Sequence, residues 1–269
     1  MEANNYGLLS IDDLIDNQPI SIAIAESDDT FLSIIKNVVT KNQHINLVQV
    51  SKNGYHFLNY CIHNVLPDVL LISYELDLID GIQTTAILKR LFPHVKVIIL
   101  SNHLTLQALT LSIKVGALGF KPKSIFNELD KSPDKSKIEA RLMNAIYKVN
   151  NGDYHISNLI LKDLPITPEF LQARALSAMD DKIFLKTMEQ LKLTEKESIV
   201  ILLYCTNLTK PQIADLLDIS TKTLDNHLTH IARKIKSNST KEMVLQLYRL
   251  GIIKTASFNK VNELIVKTE

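Results

Sequence analysis

The chain has little that would commit it to covalent or metal chemistry. Its 269 residues include two cysteines, Cys61 and Cys205, which lie too far apart to give a ligand spacing and are too few for a disulfide framework. They read as buried thiols in a reducing compartment. No stretch approaches the ~20 apolar residues that a membrane-spanning helix needs, and residues 1–16 are polar and acidic rather than an apolar leader, so a cytoplasmic location without membrane contact is expected. Internal repeats and low-complexity tracts are lacking too. So is a dominant charge: 30 Lys+Arg against 29 Asp+Glu leave a net +1. Divided by region, the excess is +4 over residues 191–255 and +2 over residues 20–127. That is mildly basic, and charge alone does not establish a nucleic-acid partner.

What the chain does have is an ordinary globular composition, 46% hydrophobic and 22% charged, and a length that suits two domains. Residues 20–152 alternate short apolar runs with amphipathic segments. Strands are expected at 20–25, 46–50, 69–73, 95–100 and 119–121, and helices at 29–41, 52–63, 84–91, 105–115 and 138–149. The run VLLIS at 69–73 reads as a strand buried on both faces. Five strand–helix alternations predict an α/β fold, a doubly wound five-stranded parallel sheet whose ligand site lies beyond the strands' C-terminal ends. Residues 127–137 read as an exposed polar loop. The segment 153–190 carries Pro165 and Pro168, and its apolar residues Phe170, Leu171, Leu176, Phe184, Leu185 and Met188 predict linker helices. Residues 191–255 form an all-α domain, flanked in the whole chain by an extension, 1–19, and a tail, 256–269.

In the all-α segment, Thr194 and Glu197 have capping-box spacing before an apolar run. Thr209 can cap a second helix with Pro211 in its first turn. A short turn at Asp218-Ile219 leads to Ser220, which can cap a third helix running to Lys236. There Leu224, Leu228, Ile231 and Ile235 share one face, and Lys222, Thr223, Asp225, Asn226, Thr229, Arg233 and Lys234 share the other. A helix, a tight turn and a helix with one polar face suit a DNA major groove.

The stretches LTEKE, IADLLDIS and KTLDNHLTHIARKI, with a closing helix at 243–250, closely resemble the LuxR/NarL-type helix-turn-helix over about 60 residues. The resemblance implies that Asp225, Asn226 and Thr229 face bases, and that Lys222, Thr223 and Lys234 mostly touch phosphates. Thr209, Lys210, Ser220 and His227 complete the DNA-facing set, His227 as a packing or phosphate-contacting residue rather than a metal ligand. The last helix in such domains commonly contributes to dimers. Asp225 departs from the family, where Lys is frequent. A carboxylate facing phosphates is unfavourable, but it can accept a hydrogen bond from cytosine, while Asn226 can pair with adenine.

The sheet domain, through IAIAESDD, PDVLLISYELDLIDGI, VKVIILSN and GALGFKPK, resembles the receiver domain of two-component response regulators. Receivers hold Mg²⁺ with carboxylates, phosphorylate an aspartate at the end of strand three, and stabilise the phosphoryl oxygens with a hydroxyl and a lysine. The resemblance implies Glu26 and Ser27 at the acidic pair, Ser73 at the phosphoacceptor position, Ser101 at the hydroxyl, Lys123 at the ammonium and Phe120 at the aromatic switch. Ser73 cannot form an acyl phosphate. Asp28 is a partial substitute for Ser27 only; Asp68 lies at the wrong strand end, and Asp77 and Asp80 fall too far along the next loop. The expectation is a receiver that works without aspartyl phosphorylation, its pocket collapsed with Lys123 bonded to Ser73 or Glu26.

The function expected is therefore a non-enzymatic, cofactor-free transcription regulator that binds double-stranded DNA as a homodimer, with its receiver open to a protein partner. Two other readings stay open. One is an interaction module that sequesters a partner and binds DNA weakly; the other is a regulator whose receiver pocket takes a small ligand.

Overall fold

A computed structural model describes residues 18–124, 135–157 and 189–249 of the chain. Strands β1 (Ile20–Ala25), β2 (Ile45–Ser51), β3 (Val69–Ser73), β4 (Val97–Ser101) and β5 (Gly119–Pro122) alternate with helices α1 (Asp29–Thr40), α2 (Gly54–His63), α3 (Gly81–Leu91), α4 (Leu106–Lys114) and α5 (Lys135–Asn150). The sheet is parallel throughout, and a sixth strand, β6 (His155–Ile156), extends it to the order β2-β1-β3-β4-β5-β6. The expected count of five was one short. β6 pairs its two residues with Gly119 and Phe120, and two residues are too few to leave a periodic signal.

Alternation along the strands builds both layers. Ile22, Ile24, Val69, Leu71, Ile98 and Leu100 meet α1 and α5, while Ala23, Ala25, Leu70, Ile72, Val97, Ile99 and Phe120 face the opposite layer. Both faces of β3 and β4 are buried, which is why these strands read as unbroken apolar runs. Strand order reverses between β1 and β3, and the crevice at their C-terminal ends is the natural ligand position. Gly81 brings α3 close to it: a Cβ there would come within 2.0 Å of the Ser73 carbonyl oxygen, so only glycine permits the approach.

The C-terminal part comprises α6 (Glu195–Tyr204), α7 (Lys210–Leu216), α8 (Thr221–Ile235) and α9 (Thr240–Arg249). The capping box forms as its spacing predicts: Thr194 Oγ1 accepts from the Glu197 N–H at 3.2 Å, and Glu197 accepts from the Thr194 N–H at 2.7 Å. Asp218, at φ +52°, makes the turn between α7 and α8. Leu224, Leu228, Ile231 and Ile235 are buried as expected, and α8 ends where Lys236 adopts φ +58°.

The two parts touch. Helix α6 lies against α3 and α7 against α2, and their apolar interiors join in one cluster. The phenol of Tyr55 on α2 donates to the Asp215 carboxylate on α7 at 2.5 Å. The linker helices expected around Phe170, Leu171, Leu176, Phe184, Leu185 and Met188, the N-terminal extension to residue 17, and the tail lie outside the described residues.

Candidate functional site

The strand ends converge on Lys123. Its ammonium is 2.9 Å from Glu26 Oε2 and 3.6 Å from Glu75 Oε2, and it lies 5.0 Å from the centre of the Phe31 ring. Glu26 is fully buried at the end of β1 and Lys123 is 4% exposed, so the pair sits where water screens it poorly. Of the two expected partners of Lys123, Glu26 is the one it meets. The Ser73 hydroxyl instead donates to the Glu75 carbonyl oxygen at 3.0 Å, and the Ser27 hydroxyl reaches the same oxygen at 3.4 Å. Asp28 turns away to cap α1, accepting from the N–H groups of Thr30 and Phe31. Ser101 is buried at the end of β4; its Oγ accepts from the His103 N–H at 2.9 Å and lies 3.5 Å from Glu75 Oε1. Phe120 is 1% exposed and packs into the core beside α4.

This donor set does not fit Mg²⁺. A hard cation wants several carboxylate or carbonyl oxygens, whereas Glu26 is occupied by Lys123, and Ser27 and Ser73 stand at the other two carboxylate positions implied by the resemblance. Among the described residues no cluster of three His, Cys, Asp or Glu is poised for a metal ion.

Glu75 and His103 escaped the sequence reading. Each lies two residues beyond an expected pocket residue, on a connecting loop, and only the turn after β3 brings the Glu75 carboxylate back over the strand ends. His103 Nε2 is 3.3 Å from Glu75 Oε1.

The second cluster is the outer face of α8. Ser220 caps the helix, accepting from the Thr223 N–H at 3.0 Å. Thr221, Lys222, Thr223, Asp225, Asn226, Thr229 and Arg233 are exposed along that face, and His227 is half-buried. The Thr229 hydroxyl bonds back to the Asp225 carbonyl at 2.8 Å. At the start of α7 the Thr209 N–H and hydroxyl both donate to the Gln212 side chain at 2.9 Å. Asp225 is paired: Lys210 Nζ lies 2.5 Å from its Oδ1, and this contact offsets the unfavourable carboxylate on the exposed face. Lys234, expected at a phosphate, is bonded within the domain. Its ammonium is 2.7 Å from both the Lys192 carbonyl and Glu197 Oε2, tying α8 to the start of α6. Burial pushes the Glu197 carboxyl up, but its bonds to Lys234 and Thr194 outweigh this and hold it below the usual carboxylate value. Glu197 was visible in the sequence as a capping residue; its second bond was not, because Lys234 is 37 residues away.

Two family models match separate stretches of the chain. Residues 22–131 match the response regulator receiver domain family, and residues 191–247 match the LuxR family of bacterial regulatory proteins. The transcriptional regulatory protein DegU of Brevibacillus brevis is 24% identical over 248 residues, covering 89% of this chain and 98% of that protein. The response regulator protein VraR of Staphylococcus saprophyticus is 20% identical, covering 87% and 99%. Among solved structures, the RcsB response regulator of Salmonella typhimurium aligns at 18% identity and a TM-score of 0.42, over 86% of this chain and 99% of that one. No helix among the described residues is long and apolar enough to cross a membrane. A receiver domain followed by a LuxR-family regulatory domain is the arrangement of a DNA-binding transcription regulator of the response-regulator type, and the chain carries both domains in that order.

Proposed function

We propose that this regulator is controlled independently of aspartyl phosphorylation, binding double-stranded DNA through α8 as a homodimer in the cytoplasm. The observation that carries the reading is the buried Lys123–Glu26 contact at 2.9 Å beside Ser73. The cation that would stabilise incoming phosphoryl oxygens is already neutralised, and the hydroxyl at the end of β3 is neither an acyl-phosphate acceptor nor a metal carboxylate. Lys222, Thr223 and Arg233 supply phosphate contacts and orient the helix, while Asn226 and Thr229 meet base edges. Asp225 reads a base only if Lys210 lets it go.

Two measurements test this. The full chain is titrated with beryllofluoride and Mg²⁺, and separately with acetyl phosphate, while its NMR spectrum and melting temperature are followed. No saturable change is expected, and one would overturn phosphorylation-independence. Gel shifts on genomic fragments should enrich specific sites, with affinity falling steeply as salt rises; sequence-blind, salt-insensitive binding would favour a sequestering module instead.

A further inference from the structure

The residue that occupies the centre of the receiver pocket is one the family pattern does not assign. Glu75 follows β3 by two positions, and its carbonyl oxygen is held by the hydroxyls of Ser73 at 3.0 Å and Ser27 at 3.4 Å. Those two bonds fix the loop so that the side chain folds back across the strand ends. Its carboxylate then bridges two groups: Oε1 lies 3.5 Å from Ser101 Oγ, and Oε2 lies 3.6 Å from Lys123 Nζ. His103 Nε2 approaches Oε1 from the outside at 3.3 Å. Oε2 is buried and has no hydrogen bond of its own. A hydroxyl, an ammonium and an imidazole thus surround one two-oxygen anion.

We propose that Ser101, Lys123 and His103 form an anion site and that the Glu75 carboxylate is its tethered ligand. The site takes a small anion with two or more oxygens, a carboxylate or a phosphoryl group, and this chain supplies one from its own Glu75 side chain. This rests on the phosphorylation-independent reading and adds how the pocket is kept filled. A carboxylate attached two residues from β3 is present at an effective concentration of the order of millimolar or higher, so a free anion must displace it to enter. The site is not sealed: the Glu75 side chain is 36% exposed, so truncating it opens a path from solvent. The replacements at Ser27 and Ser73 fit the same arrangement. Each exchanges a carboxylate that would repel Glu75 for a hydroxyl that binds its carbonyl.

The test is chemical rescue in the full-length chain. Glu75→Ala and Glu75→Gln are compared with wild type by the NMR signals of the Lys123 ammonium and its neighbouring methylene, and by melting temperature. Sodium acetate and sodium phosphate are the probes, with sodium chloride at matched ionic strength as control. Both variants should shift the Lys123 signals. In Glu75→Ala, acetate, phosphate or both should return them toward the wild-type position with saturation at about millimolar levels, and should restore part of any lost melting temperature. A response to acetate alone identifies a carboxylate-sized hole; a response to phosphate as well identifies one that admits a phosphoryl group. Glu75→Gln keeps the side-chain volume, so it should remain folded and unresponsive to either anion. Unchanged Lys123 signals in folded Glu75→Gln would overturn the proposal. So would a folded Glu75→Ala without saturable anion binding, or wild type that binds acetate as well as Glu75→Ala does. None of these outcomes depends on the wild-type response to beryllofluoride and Mg²⁺, which judges phosphorylation-independence separately.

Discussion

Lys121 is a group the fold would be more stable without. It lies on β5, 3% exposed, and neighbours Phe120, which faces the α4 side; alternation therefore turns it toward α5. Among the described residues it has no hydrogen bond or ion pair, and the charges nearest to it are cationic. Burial, then Arg141, then Lys148, push its ammonium down to about 8 from 10.5. At about 1.4 kcal/mol per unit, that depression has a ceiling of about 3 kcal/mol, which water penetration and side-chain relaxation reduce to about 2 kcal/mol. Lys121→Met keeps the length of the stem and removes the charge. It should raise the stability of the receiver by about 2 kcal/mol near neutral pH. The sign with pH is fixed. Below about 8 both folded and unfolded states carry the proton and the folded state bears the full penalty; between about 8 and 10.5 the unfolded state binds more protons, so wild-type stability rises with pH. The advantage of Lys121→Met should shrink across that window. Urea denaturation followed by circular dichroism, in steps of pH, reads both quantities. His155 gives a cross-check. Burial, then Lys121, then Lys148, hold it down to about 4, so its NMR titration should move back toward 6.5 in the variant. A less stable Lys121→Met near neutral pH, or an unmoved His155, would show that the ammonium has a stabilising partner in solution and carries no net burial penalty.

Asp225→Ala should free Lys210 for phosphate, tightening duplex binding and steepening the salt slope by about one; a gel-shift series with an unchanged slope counts against the Lys210–Asp225 contact. Glu197→Gln should destabilise the C-terminal domain by about 2 kcal/mol, because it leaves Lys234 without its carboxylate, and Glu197→Gln/Lys234→Met should recover part of that in thermal melts. The Glu197 carboxyl is depressed in the fold, so its contribution is complete above its ordinary value of 4.5 and is lost as pH falls below it. A melting temperature that is flat across that range in wild type would remove the pair from the stability of the domain. Tyr55 is raised to about 12, first by its bond to Asp215 and then by burial, and Asp215→Asn should return it toward 10.0. A Tyr55 that already titrates with the ordinary tyrosines in wild type would mean that α2 and α7 do not meet in solution.

How far the sequence could be read depended on how local each cause was. The cores of β1 and β3 were legible as apolar runs, residues 22–25 and 69–72, because burial on both faces leaves no polar interruption there. The cap at Ser220 and the face formed by Leu224, Leu228, Ile231 and Ile235 were equally legible, since i to i+3 and i to i+4 spacings write helix ends and faces into the chain. The start of α3 was not: residues from Gly81 to Gln83 are helical, but the periodic pattern begins only at Thr84, and the cap is Asp80, whose carboxylate accepts from the Gln83 N–H at 2.7 Å. Long-range contacts left no trace. Nothing in the sequence announces that Lys234 turns back to α6, that Glu75 reaches Ser101 and Lys123, or that Tyr55 meets a carboxylate 160 residues away. In each case the residue type fits a solvated surface equally well, and tertiary packing alone assigns the partner.

The pocket and the contact between domains share one stretch of backbone. Ser73 and Ser27 hold the Glu75 carbonyl, and the Tyr74 carbonyl accepts from the Gly81 N–H at 3.0 Å, which seats the first turn of α3. Helix α3 is in turn what α6 rests on, while the outer face of α8 stays open. Whatever fills the pocket therefore lies beside the platform beneath the DNA-binding domain, not at the surface of α8 itself. Contiguity alone does not amount to coupling; coupling requires that a change at one end bias the other. Tyr55 is a reporter for that, since its raised pKa depends on α7 staying against α2. If the platform transmits the state of the pocket, Glu75→Ala should lower the Tyr55 pKa from about 12, and whichever anion rescues the Lys123 signals should restore it. A Tyr55 titration identical in wild type and Glu75→Ala would separate the two, leaving the domain contact as a fixed joint on which the receiver pocket has no influence.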